Sequence, residues 1–195
     1  MTYDQLDQLE IDHKWLAPLE AVFARYDIST KQRQASFIGQ CQHESNNFRT
    51  LEENLHYSAA RLMVVWSSRF PNADVAGQYA NNPEKIANKV YAGRMGNTEE
   101  GDGWKFRGRG VIQLTGKDAY LHCGSSLRID IIANPDLLLE PMNACLSAGW
   151  FWGKRGLNDL ADEKNYEEMT RRINGGLNGF DDRKKRILKA ISVLG

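Results

Sequence analysis

The chain has 195 residues and 22.1 kDa, with 42% apolar and 26% charged residues. That is long enough for one substantial globular domain and too ordinary in composition for a disordered or collagen-like chain. Lys and Arg number 25, as do Asp and Glu, so net charge argues neither for nor against a nucleic-acid partner. No apolar run reaches the roughly 18–20 residues of a membrane span, and Met1 to Asp7 carries neither a basic nor an apolar signal region. Charge is uneven: residues 1–27 hold six acids against two bases, and residues 181–189 hold five bases against two acids. Cys41, Cys123 and Cys145 form no CxxC pair, and their odd number favours reduced thiols in a chain made in the cytoplasm.

The periodicity is mostly helical. Trp15, Leu19, Val22, Phe23 and Tyr26 fall on one face of a first helix. Ser29-Thr30-Lys31-Gln32 reads as a capping box opening a second, with Ala35, Phe37, Ile38 and Cys41 inward. Ser58 caps a third, stopped near Phe70 by Pro71, and Asn82-Pro83-Glu84 starts a fourth carrying Ile86, Val90 and Tyr91. Glycines at 93, 96, 101 and 103 then predict a loop. Alternation from Lys105 to Thr115 predicts an extended or β-hairpin element near residues 104–115. Asn134-Pro135 and Pro141 open two further helices. Tyr166, Met169 and Ile173 mark another, ended by Gly175-Gly176. Asp181 or Asp182 caps the last, with Ile187, Leu188, Ile191 and Leu194 inward. The expectation is one mainly α domain over residues 1–195.

Four places carry candidate chemistry. Glu44 shares a helix face with Phe37 and Cys41, and with Phe48 if the helix runs on. A carboxylate on an apolar face is partly desolvated, which favours its protonated form and suits it to general acid work. Glu52 and Glu53 follow a turn and complete the minimum set of two carboxylates for glycoside hydrolysis. If residues 105–115 are extended, Lys105, Arg107, Arg109, Val111, Gln113 and Thr115 share one polar face, unless Gly108 and Gly110 upset the parity. Arg183 lies on the inward face of the last helix, where it either snorkels or pairs with a buried carboxylate. His13, His43, His56 and His122 are scattered, so no metal and no cofactor is expected.

Several blocks, in order, resemble the chitinase-like endolysins of glycoside hydrolase family 19. They are Gln42-His43-Glu44-Ser45 with Phe48; Leu51-Glu52-Glu53-Asn54-Leu55-His56-Tyr57-Ser58; and Tyr91 with Arg94-Met95-Gly96-Asn97. Then come Gly101-Asp102-Gly103-Trp104, the run Arg107 to Gly116 with Tyr120, and Ile173-Asn174-Gly175-Gly176 with Asn178-Gly179 and Asp182-Arg183. The likeness covers roughly residues 35–190.

The resemblance implies a lysozyme-like, mainly helical domain of two lobes with a central cleft. It implies an inverting glycosidase of β-1,4-linked amino sugars that degrades peptidoglycan and lyses bacteria. Glu44 matches the family's general acid and Glu53 its general base, with Glu52 as the alternative. Thr115 matches the hydroxyl that holds the attacking water. Gln113 and Asn174 match positions that bind sugar or order the cleft, and Tyr57 is placed with them on the substrate. Arg183 matches an arginine near the second carboxylate, where it would keep the base ionised. The further expectations are a monomer without a separate wall-binding module, peptidoglycan strands as partner, and neither nucleic acid nor membrane insertion. Synthesis is expected in the host cytoplasm, action on the periplasmic wall, and release through a separate holin. A secreted chitinase, a sugar-binding protein and a secreted antibacterial effector are the rival readings.

Overall fold

The computed structural model describes residues Met1–Gly195. Helices dominate: α1 (Tyr3–Gln8), α2 (Leu16–Arg25), α3 (Lys31–Glu44), α4 (Ala59–Val65), α5 (Ala73–Gly77) and α6 (Pro83–Tyr91) in the first half. The second half holds α7 (Asp102–Lys105), α8 (Lys117–Leu127), α9 (Pro141–Lys154), α10 (Leu157–Asp162), α11 (Tyr166–Asn174) and α12 (Phe180–Leu194). Two 3₁₀ segments, His13–Trp15 and Pro135–Leu139, complete the order.

Several boundaries follow from the start and stop residues. Ser58 accepts from Arg61 N at 3.3 Å and Asn82 from Lys85 N at 3.0 Å, while Gly175 ends α11 in the left-handed region (φ 75°). Others move. The cap of α3 is Thr30, whose hydroxyl accepts from Arg33 N at 3.1 Å; the reciprocal box sits instead at Thr2 and Gln5, opening α1. α4 ends at Val65, five residues before Phe70. α12 starts after Gly179 (φ 72°), which leaves Asp181 and Asp182 inside the first turn, where their charge suits the helix dipole. The helices α1, α5, α8 and α10 lack a long apolar period and were not legible.

The hairpin expected near residues 104–115 does not form. α7 occupies Asp102–Lys105, and only isolated bridge residues, Arg109 and Leu114, follow. Gly110 (φ 82°) and Gln113 (φ 54°) are left-handed, so each turns the chain and the two-residue period is lost. Arg109 and Val111, expected on one polar face, are buried. Arg109 pairs with Asp136 at 2.9 Å.

The chain divides into two compact units. The first comprises Met1–Leu51, Arg109–Gln113 and Asp136–Gly195. Its core holds Trp15, Leu19, Val22, Phe37, Ile38, Cys41, Trp152, Met169 and Ile187, with Phe37 edge-on to Phe23 and Trp152. The second comprises Glu52–Gly108 and Leu114–Pro135, with Leu55, Leu62, Phe70, Ile86, Ala87 and Val90 buried together.

In the first unit α3 and α12 pack closely. A Cβ built on Gly39 would lie 2.6 Å from Ile187 Cγ1 and 2.7 Å from Ile187 N, so only glycine lets the two backbones approach. Gly39→Ala is expected to cost about 1–3 kcal/mol through forced separation of these helices, read as a clear fall in melting temperature. A wild-type melting temperature would show that the joint yields freely.

In the second unit Asp102 ties the glycine-rich loop. It accepts from Glu99 N at 3.1 Å and from Lys117 Nζ at 3.0 Å. Burial pushes its carboxyl up, but Lys117 and the backbone N–H groups outweigh this and hold it below the ordinary aspartate range. A carboxyl depressed on folding stabilises above its unfolded pKa and loses that contribution as pH falls through the folded value. Asp102→Asn should therefore melt several degrees below wild type at neutral pH, with the gap closing below about pH 4. A gap independent of pH would contradict the ionic role.

Candidate functional site

In the first unit α3 ends at Glu44. Ser45 closes the helix, its hydroxyl donating to Cys41 O at 2.6 Å and accepting from Phe48 N at 2.9 Å. Asn46, Asn47 and Phe48 then all take left-handed φ values, of 49°, 59° and 61°. The helix therefore does not run on to Phe48 as its spacing suggested. Phe48 still reaches the core, carried there by a left-handed turn, and packs on Trp15 at 5.0 Å.

Glu44 does not stand alone on its apolar face. Arg183 from α12 meets its Oε1 at 2.6 Å. Arg183 is 2% exposed and reaches further partners: its Nη1 donates to Gln40 Oε1 at 2.7 Å and its Nε to Asn178 O at 3.3 Å. The sequence left open whether this arginine snorkels or pairs, and the resemblance put it near the second carboxylate; in the first unit it pairs with Glu44. The reason is helical register: Gln40 and Glu44 are four apart on α3 and share one face, which α12 covers at Arg183. The desolvation read from the apolar face is thus answered by a buried cation.

A second network flanks the first. His43 Nδ1 lies 2.7 Å from Asp182 Oδ2, and Arg186 Nε donates to the same oxygen at 2.6 Å. Arg186 also donates to Asn47 in the left-handed turn. Burial pushes the Asp182 carboxyl up, but His43 and Arg186 together hold it below the usual range. The His43 ring packs over Gly179, where a Cβ would sit 2.3 Å from Cε1.

In the second unit Glu53 is held at both oxygens. Gly108 N donates to Oε1 at 2.5 Å and the Tyr91 hydroxyl to Oε2 at 2.7 Å. Glu53 N donates in turn to Gly108 O at 3.0 Å. Burial and the adjacent Glu53 charge push the Tyr91 phenol far up, so it stays a donor at any working pH. Glu52 is engaged differently. Arg107 Nε donates to it at 2.5 Å, and the Arg107 guanidinium lies 3.7 Å from the Trp104 ring centroid. Arg107 O accepts from the Tyr120 hydroxyl at 2.6 Å, which fixes the backbone beside Gly108.

The remaining predicted residues divide between the units. Thr115 is half-buried in the second, between Leu114 and the left-handed Gly116. Tyr57, also in the second, packs edge-on against Trp66 at 5.0 Å. Gln113, in the first, is half-buried, and its amide donates to Gly110 O at 3.4 Å. Asn174 ends α11, exposed, with its amide 3.5 Å from Asn178 O, the carbonyl that Arg183 also uses. Sequence reasoning missed Tyr91, the Gly108 amide and Gln40 as parts of the site. For Gln40 a signal existed: an amide four residues before Glu44 on an otherwise apolar stripe. No three His, Cys, Asp or Glu side chains stand together as a metal site.

Residues 19–161 match the family model described as chitinase class I. The chain is 44% identical over 162 residues to a glycosyl hydrolase family 19 domain-containing protein of Haemophilus influenzae, spanning 80% of this chain and 76% of that protein. It is 29% identical over 128 residues to endochitinase 2 of Gossypium hirsutum, and there it spans only 37% of the plant protein's length. Among solved structures, a bacterial family 19 chitinase superposes with a TM-score of 0.65 at 22% identity, over 100% of this chain and 94% of that one. Chitinase C of Streptomyces griseus gives 0.65 at 20% identity, over 100% and 76%.

Proposed function

Because the chain belongs to glycoside hydrolase family 19 and is a glycosidase with that family's lysozyme-like helical fold, we propose that it is a peptidoglycan-cleaving endolysin. It hydrolyses β-1,4 bonds between N-acetylmuramic acid and N-acetylglucosamine with inversion. The observation that carries the chemistry is the contrast between two carboxylates. Glu44 faces a buried guanidinium, and Glu53 is pinned by a phenol and a backbone amide.

Glu44 donates its proton to the departing glycosidic oxygen. As it does so it becomes an anion, and Arg183 at 2.6 Å compensates the new charge, which lowers the cost of the transfer. Glu53 takes a proton from water on the opposite face of the sugar. Its two donors hold the carboxylate plane while leaving lone pairs on both oxygens for that water. The Thr115 hydroxyl orients the water, and Gln113, Asn174 and Tyr57 are assigned to sugar binding. The reaction needs no cofactor.

The substrate choice is supported by the 44% identity to a bacterial relative against 29% to a plant endochitinase. It is also supported by the cysteines: Cys41, Cys123 and Cys145 are all free and buried, so the core is built on reduced thiols. This suits a monomer made in the cytoplasm of an infected host, released to the periplasmic wall through a separate holin, with neither nucleic acid nor membrane insertion in its action. A chitinase is the second reading, favoured by the names of the plant relatives and of the superposing structures. Mass spectrometry of fragments released from purified sacculi separates the two. Reducing ends at N-acetylmuramic acid are expected. Reducing ends at N-acetylglucosamine would move the cut to the other bond, and digestion of colloidal chitin with intact sacculi would replace the endolysin reading.

A further inference from the structure

Arg183 carries a feature that the acid–base scheme leaves unused. Its guanidinium is buried, yet of the three groups it meets, Glu44, the Gln40 amide and the Asn178 carbonyl, only Glu44 can carry a charge. On the other side stands a neutral amide, Gln40, itself 0% exposed, whose Oε1 accepts from Nη1 at 2.7 Å. The Gln40 Nε2 is buried without a hydrogen-bond partner. Turning the amide over would aim that NH₂ at the guanidinium, so the unpaired nitrogen is the cost of presenting the oxygen.

We propose that Gln40 is a positioning residue for the glycosidase reaction: it anchors Arg183 against Glu44 while leaving the whole charge of the guanidinium to that one carboxylate. The proposal rests on Glu44 being the acid. A carboxylate at position 40 would be the stronger anchor, but it would divide the cation between two anions. A hydrocarbon there would leave Arg183 held from one end only. The amide is the side chain of this length that accepts a hydrogen bond without adding charge.

The neighbouring titratable groups are neutral or paired elsewhere. On α3 the Cys41 thiol, and on α9 that of Cys145, are pushed up by burial and stay neutral. His43 is turned to Asp182, whose charge is shared with Arg186. The loop before α12 offers Arg183 only the Asn178 carbonyl.

The test uses Gln40→Glu and Gln40→Met in the full chain. Rates are followed against pH on soluble fragments of whichever polymer the wild type cleaves, so the outcome does not depend on the choice between peptidoglycan and chitin. Circular dichroism and melting are recorded on each variant. In Gln40→Glu two carboxylates share one cation, so the acid keeps its proton to higher pH. The alkaline limb of kcat should move up by about one pH unit. In Gln40→Met, kcat should fall roughly tenfold with KM little changed, because an interaction used in the transition state is loosened. A folded Gln40→Glu with an unmoved alkaline limb overturns the proposal. Should that variant fail to fold, Gln40→Met decides alone: wild-type kcat overturns the proposal, and the selective loss of kcat supports it. A fully active Glu44→Gln would remove the acid assignment, and this proposal with it.

Discussion

Glu44→Gln is expected to lower glycosidase activity by about 10²–10⁴-fold, the usual worth of a positioned general acid, while the fold survives. The geometry makes the second half of that expectation specific. A glutamine carbonyl at position 44 still accepts from Arg183, so the buried cation keeps a partner and the turn at Asn46 to Phe48 is undisturbed. Only the transferable proton is lost. Clearing of outer-membrane-permeabilised Gram-negative cells, followed as turbidity, reads the activity; circular dichroism and melting read the fold. A variant that lyses at near wild-type rate would dismiss Glu44 as the acid.

Glu53→Gln should be comparably severe. The glutamine retains an oxygen for the Gly108 amide, and its NH₂ can donate to the Tyr91 oxygen, so local structure persists while the base is gone. Tyr91→Phe probes the same site more gently. It strips one donor from the carboxylate and should cost roughly tenfold, with the melting temperature little changed. Glu52→Gln should be mild for chemistry, because that carboxylate is already committed to Arg107. If Glu52→Gln is the crippled variant and Glu53→Gln is not, the base lies one position earlier than assigned. All four are measured in the same turbidity assay.

What the sequence made legible follows from how each feature is encoded. The helix starts at Ser58, Asn82 and Pro141 are local events, written in residues that satisfy orphan amides or cannot donate. The inward placement of Arg183 follows from the same short-range period. Its partner does not. Which carboxylate a buried arginine meets depends on which helix lies across it, and nothing within 180–194 records that α3 lies there. The hairpin failed for a different reason. Alternation from Lys105 to Thr115 is a pattern of residue types, whereas the path of that segment is set by left-handed turns at Gly110 and Gln113. Tyr91 was read as one more apolar side chain at a helix end; its hydroxyl matters only because Glu53 arrives opposite it. The two carboxylates themselves were found through resemblance across the blocks more than through periodicity.

The joint between α3 and α12 also sets an order in time. Residues 31–44 leave the ribosome early, but the surface that covers Gly39, and the arginine that meets Glu44, belong to residues 180–194. At about 5–20 residues per second, the stretch between α3 and α12 takes roughly 7–27 seconds to synthesise. Throughout that interval the apolar face of α3 lacks its lid and Glu44 lacks its cation. The ion pair between Glu44 and Arg183 and the close approach at Gly39 therefore form together, after α12 has been made.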